Sequence, residues 1–469
     1  MRRVIIGPGA GFRTGGDHMN LKELDLRHLI HNEVRFRELA RKGTTVITRA
    51  EGSTIWDIDG RAYLDAQAGM VLVNVGYGRR ELGAVAAAQM ERLMYYHTYF
   101  QYSNEPAVRL AAKLASLAPE GLGKVFFTLG GAESVETAVK IARLYQRARG
   151  RADGHKIICL DLGYHGNSLG ALSATAFEAH RAYYGPLVPG FVHIPSPDTF
   201  EGPFRADDPE AGRKYAALLE ERILAEGPET VAAFLAEPIL GVGGIIVPPD
   251  DYLKHVRRIC DKYGVLLILD EVMTGFGRAG TMWACGQFGV VPDLMCTAKG
   301  LTSGYLPLGA VLVGDHVIEA IAEADFPFEH GFTYAGHPVS CAVAMENIAI
   351  LEREGLAERA ARMGERLKEA LLARDNPYIA EVRGRGLMVA AELVRDRETR
   401  ERFPEGNRAF RFDVEAGCLR EGVITGIAPY RDTLMITPPL VITEAEIDRL
   451  VDVYDRVIRQ EGDRRRKQG

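Results

Sequence analysis

Cysteine is scarce in this chain and never clustered. The six thiols, Cys159, Cys260, Cys285, Cys296, Cys341 and Cys418, include no C-x-x-C pair. That excludes a disulfide framework and a cysteine zinc site, and it predicts the reduced thiols of a cytoplasmic protein. No apolar run approaches the roughly 18 residues of a membrane span. Val4-Ile5-Ile6, near the start, is too short for the core of a signal peptide. Basic excess is missing too. With 57 Lys and Arg against 63 Asp and Glu, the net charge of −6 argues against a nucleic-acid partner. The glycines at 7–16 have no Gly-Lys-Ser/Thr, and Gly241, Gly243 and Gly244 lack a strand–turn–helix setting. Neither segment is therefore a nucleotide loop. Residues 1–24 read as a flexible extension.

What is present is a long alternation of strands and helices. Residues 25–41 predict one amphipathic helix. Residues 45–65 predict a small meander turned at Glu51-Gly52-Ser53 and at Asp57-Ile58-Asp59-Gly60. Short apolar runs then occupy 124–128, 156–160, 231–236, 265–269, 294–297 and 308–313, with helical stretches between several of them. The clearest of these helices is 133–149, where Val135, Val139 and Ala142 share one face. Continuous apolar strands alternating with helices indicate an α/β fold with a mostly parallel sheet covered on both faces. From 340 to 374 a helix is expected, followed by strands, a last helix over 444–460 and a solvated basic end at Arg464-Arg465-Arg466-Lys467. The predicted division is 25–75 and 341–469 for a smaller domain and 76–340 for a large one.

Ligands of open parallel sheets bind at the carboxyl ends of the strands. There the sequence puts Gly130-Gly131-Ala132, then Gly163-Tyr164-His165-Gly166, Glu237-Pro238, Asp270-Glu271-Val272 and Ala298-Lys299-Gly300. Glycines opening a helix suit a phosphate, through free N–H groups and the helix dipole. A lysine bordered by apolar residues loses its proton more easily and can act as an amine nucleophile. A buried carboxylate needs a cationic partner. A lysine and an acid in these roles are what a pyridoxal 5′-phosphate (PLP) site requires.

The run Leu269-Asp270-Glu271-Val272-Met273-Thr274-Gly275-Phe276-Gly277-Arg278, with Pro292-Asp293 and Ala298-Lys299-Gly300-Leu301-Thr302-Ser303-Gly304, resembles the class III aminotransferases. Ala236-Glu237-Pro238, Gly163-Tyr164-His165-Gly166 and Gly331-Phe332-Thr333-Tyr334 extend the match from about residue 25 onward. The resemblance implies PLP fold type I. It implies that Lys299 holds the cofactor as an imine and that Asp270 faces its pyridine nitrogen. Val272 and Tyr164 flank the ring, with His165 and Glu237 close by. Gly131 and the Ala132 N–H hold the phosphate, and Thr333 reaches the phosphate of a neighbouring subunit in a homodimer or homotetramer. The family often has a hydroxyl where Ala132 stands, so backbone N–H groups must do more here.

The expected reaction moves an amino group from an ω-amino acid or primary amine to a small oxo acid such as pyruvate, in two half-reactions. A 4-aminobutyrate or diamine enzyme using 2-oxoglutarate stays open, as does a PLP aminomutase or decarboxylase of the same fold. The presence of both Lys299 and Asp270 disfavours a catalytically silent scaffold. For the substrate, Arg431 is the expected carboxylate anchor, although a solvated turn charge beside Asp432 is an equal reading. Val71, within Met70-Val71-Leu72, is expected in a roomy amine pocket.

Overall fold

The computed structural model describes residues 21–404 and 409–467. The expected flexible extension, up to residue 20, lies outside them. By contacts the chain separates into two units: residues up to 50 together with 55–62, and residues 51–54 together with 63 onward.

The first unit carries the helices Leu21–His28 and Phe36–Lys42, strand β1 (Ile47–Glu51) and most of β2 (Thr54–Asp57). A single helix over 25–41 does not form. Glu33 adopts a φ of 52°, which a right-handed helix cannot contain, and His31 folds back onto Asp25 at 2.8 Å. The turn after β2 is built by Asp57, whose Oδ1 accepts from the N–H groups of Asp59 and Arg61 at 3.0 and 2.9 Å.

In the second unit β3 (Ala62–Asp65) leads toward the principal sheet. That sheet uses β4 (Lys124–Thr128), β5 (Lys156–Leu160), β6 (Phe191–Ile194), β7 (Val231–Ala236), β8 (Leu266–Asp270), β9 (Leu294–Thr297) and β10 (Gly309–Val313). Their order is β4-β10-β9-β8-β7-β5-β6. The neighbours from β9 through β6 are parallel, whereas β10 runs antiparallel to both β4 and β9. Strands β7, β8, β9 and β10 are buried at every position, which is why they read as unbroken apolar runs. The edge strand β6 has no such run. Only Ile194 is buried in it, and His193 interrupts the pattern with its Nε2 3.0 Å from Ala174 O.

A second sheet gathers β11 (Ile379–Arg385), β12 (Met388–Leu393), β14 (Gly426–Ile427) and β15 (Thr433–Ile436) in the antiparallel order β11-β12-β15-β14. The short β13 (Val423–Ile424) pairs in parallel with β3. The helix expected over 340–374 is two helices, Pro338–Arg353 and Leu356–Ala373. Gly355 breaks them apart in a left-handed conformation, φ 56°. Nor is the basic end a free tail. Helix Glu444–Arg466 opens with a Thr443/Glu446 capping box and runs through Arg464 and Arg465, both 2.7 Å from Asp413.

Arg278 is wholly buried between distant parts of this unit. It donates to Asn74 Oδ1 at 2.8 Å, to Leu387 O at 3.2 Å and to Pro438 O. Burial pulls its pKa down to about 9.

Candidate active site

The carboxyl ends of β4, β5, β7, β8 and β9 surround one cavity of about 220 Å³. It is lined by Gly131, Ala132, Tyr164, His165, Glu237, Asp270, Val272 and Lys299, together with Gly166, Asn167, Val242 and Met273. The first eight are residues that the sequence singled out. Of the last four, Gly166 and Met273 stand inside the motifs above but carried no role of their own, and Asn167 and Val242 were not singled out. Val242 belongs to the glycine loop after Glu237-Pro238, and Met273 directly follows Val272 in the motif, so their chain positions were the available signal.

Each wall has a local cause. Helix Gly131–Ala148 follows β4 and starts at Gly130 with no side-chain cap, which leaves its first turn to a ligand. Gly131 must be glycine, because a Cβ there would meet Val272 Cγ1 at 2.8 Å. At the end of β8, Asp270 is buried, with Oδ2 2.8 Å from His165 Nδ1 and Oδ1 accepting from the Val272 N–H at 3.1 Å. His165 is buried as well, and its Nε2 has no protein partner. This hydrogen bond between His165 and Asp270 has no signature in the sequence, since it joins residues 105 positions apart. Glu271, the next acid, turns away from the cavity and accepts from the N–H groups of Ala284 and Cys285 at 3.0 and 2.7 Å.

Glu237 is enclosed, its two oxygens accepting from the N–H of Tyr164 at 3.0 Å and of Gly241 at 2.8 Å. Burial pushes its pKa up to about 7. The nearby Asp270 adds to this, while His165 and the two N–H donors oppose it. Lys299 reaches the cavity from the turn after β9, and desolvation lowers the pKa of its amine, against the opposing pull of Asp270 and Glu237.

This set fits PLP. An uncapped helix start beside a glycine cradle suits a phosphate. A fixed carboxylate on a histidine suits a ring nitrogen. A desolvated lysine suits a carbonyl. Val272 and Tyr164 both line the space between these groups.

Three expected residues lie elsewhere. Thr333 is exposed and does not line the cavity of its own chain; its carbonyl accepts from the Tyr95 hydroxyl at 2.6 Å. Val71 is 8% exposed, packs into the hydrophobic core and is absent from the cavity wall. Arg431 is neither a solvated turn charge nor a free anchor. It is 6% exposed, and its guanidinium sits 2.7 Å from Asp198 and 3.3 Å from Glu201. Asp432 is also buried, against Arg411 at 3.3 Å. The solvated-turn alternative fails because the partners of Arg431 lie far away in the chain.

The Aminotransferase class-III family model matches residues 38–458. The chain is 42% identical to the putrescine–pyruvate aminotransferase of Pseudomonas aeruginosa, over 91% of this chain and 92% of that one. It is 38% identical to the diaminobutyrate–2-oxoglutarate transaminase of Halomonas elongata, over 96% and 98%. Among solved structures, the ω-transaminase from Pseudomonas jessenii in complex with PMP superposes with a TM-score of 0.92 at 35% identity, over 96% of this chain and 100% of that one. With this site at the strand ends and this similarity along its length, the chain belongs to the class III aminotransferases, PLP-dependent enzymes of fold type I.

Proposed function

We propose that this aminotransferase takes its amino group from an ω-amino acid or a primary amine and passes it to a small oxo acid such as pyruvate. The observation that carries the reading is the scarcity of cations at the cavity. Among the described residues lining it, Lys299 and His165 are the only basic ones, and Arg431 is held by Asp198. A dicarboxylate such as 2-oxoglutarate needs a cation for each carboxylate, whereas pyruvate needs one fewer. Apolar Val242 and Met273 on the wall favour the carbon chain of an amine over a second carboxylate. The relative named for putrescine and pyruvate supports this reading, and the one named for diaminobutyrate and 2-oxoglutarate favours the alternative acceptor.

Bound PLP supplies an electron sink for the pair released when the amine carbon loses its proton. The protein's part is position and charge. Lys299, with its lowered pKa, takes that proton on Nζ and returns it. Asp270, fixed by His165 and the Val272 N–H, provides a negative charge at the inner end of the cavity. Glu237 holds the Tyr164 backbone, and so the aromatic wall, in place.

The working form is proposed to be a homodimer or homotetramer. Tyr334, next to Thr333 in the chain, is 58% exposed, and Phe100 and Tyr102, which follow the Tyr95 whose hydroxyl donates to Thr333 O, are 92% and 57% exposed. If Thr333 serves the partner's site, mixing Lys299→Ala and Thr333→Ala proteins after subunit exchange restores activity above either parent. The substrate reading is tested by kcat/KM for pyruvate and 2-oxoglutarate with putrescine, β-alanine and 1-phenylethylamine as donors. Pyruvate is expected to lead by tenfold or more. A preference for 2-oxoglutarate would overturn the acceptor assignment.

A further inference from the structure

Lys299 presents its amine from a backbone position that few side chains adopt, with φ at 37°. The turn Lys299–Leu301 is closed by the Leu301 N–H on Ala298 O at 2.8 Å and the Thr302 N–H on Lys299 O at 3.2 Å. The carbonyls of Gly300 and Leu301 remain. Both accept from Nδ2 of Asn347, at 2.8 and 3.0 Å. Asn347 lies in helix Pro338–Arg353 and is completely buried. Gly300 is confined from another side, since a Cβ there would stand 2.5 Å from Asn74 Nδ2 and 2.9 Å from Phe276 Cβ. One amide group thus pins both peptide carbonyls after the lysine, in a turn with no slack on its other flank.

We infer that Asn347 is a positioning residue for amino transfer, holding the turn that keeps Lys299 Nζ at the cavity. It touches neither the cavity wall nor the reacting atoms and acts through the backbone. A turn released from Asn347 relaxes toward ordinary φ values and draws the amine away from its place. The inference rests on Lys299 being the cofactor lysine, so borohydride fixation of the wild-type holoenzyme comes first. Cofactor fixed to a peptide other than the one containing Lys299 would end that reading before Asn347 is tested.

The decisive variant is Asn347→Leu, which keeps the volume and removes the donor. Asn347 Oδ1 has no partner, so the groups that lose one are the Gly300 and Leu301 carbonyls at issue. Asn347→Ala serves as the second variant. Leu367→Ala, in helix Leu356–Ala373, is the control for stability loss alone. In each holoenzyme the pH midpoint of the visible cofactor band, kcat, KM and Tm are measured. For Asn347→Leu the midpoint is expected to rise by half a pH unit or more, as the nitrogen leaves its desolvated position. Its kcat falls at least tenfold, with KM for the amine within twofold. Leu367→Ala moves Tm and leaves the midpoint in place. An unmoved midpoint with kcat within twofold of wild type overturns the inference. So does failure of both Asn347 variants to give folded holoenzyme while Leu367→Ala folds, because Asn347 would then serve folding alone.

Discussion

Replacing Glu237 with glutamine should change how stability depends on pH, and the size of the change follows from the site. Burial raises the Glu237 pKa from 4.5 to about 7 in the folded chain. A carboxyl with a raised folded pKa binds its proton more tightly folded than unfolded. Its contribution is therefore complete below the unfolded value of 4.5 and is lost as pH climbs through 7. That displacement is worth about 3 kcal/mol, of which about 2.5 kcal/mol is lost between pH 5 and 8. Glutamine cannot titrate, but it exchanges one acceptor for a donor facing the Tyr164 or Gly241 N–H. That costs about 1–3 kcal/mol at every pH. The variant is thus less stable at pH 5, and by pH 8 the difference has moved about 2.5 kcal/mol in its favour, enough to close or reverse the gap. Urea unfolding of the cofactor-free proteins at the two pH values measures the double difference, in which all other carboxylates cancel. A stability gap that stays the same at both pH values, within about 0.5 kcal/mol, would refute the account of Glu237.

Asp270→Asn should fold and bind cofactor, yet lose about 100-fold or more in kcat, as removal of a fixed electrostatic partner does; turnover within a few-fold of wild type would remove Asp270 from that role. Arg431→Ala strands Asp198 without its nearest cation and should cost about 3–5 kcal/mol. Tm then falls, while kcat/KM drops by the same factor for pyruvate and for an aldehyde acceptor. A selective loss of pyruvate at unchanged Tm would instead make Arg431 a substrate anchor. All six cysteines are buried, and burial raises the pKa of every thiol. Ellman's reagent should therefore leave native protein unmodified for an hour and titrate all six thiols after unfolding, whereas prompt native reaction would contradict the burial.

The middle of the sheet was legible because β7, β8, β9 and β10 are buried at every position. Runs 124–128, 156–160, 231–236 and 294–297 coincide with β4, β5, β7 and β9 to the residue. The cavity residues were legible because parallel strands deliver their next residues to one edge, whatever their distance in the chain. Features that depend on single dihedrals or distant partners were not. The breaks at Glu33 and Gly355 sit in stretches of good helical periodicity, and only a positive φ marks them. The burial of Arg431 depends on Asp198, 233 residues away, and that of Arg465 on Asp413 across another helix. The antiparallel direction of β10 was equally hidden, since a buried strand reads the same in either orientation.

Arg278 also bears on where the polypeptide can be cut. The hydrogen bonds of its two terminal nitrogens form only when Asn74, Leu387 and Pro438 have all arrived, and these span most of the chain. Until then the chain would enclose an unsolvated cation, so the cofactor-binding half cannot close around Arg278 by itself. A fragment of residues 76–340, although it holds the whole principal sheet, should accumulate as a loose, protease-sensitive species. A truncation just before Pro438 should fail in the same way, and adding back the missing carboxyl-terminal piece in trans should rescue both solubility and protease resistance.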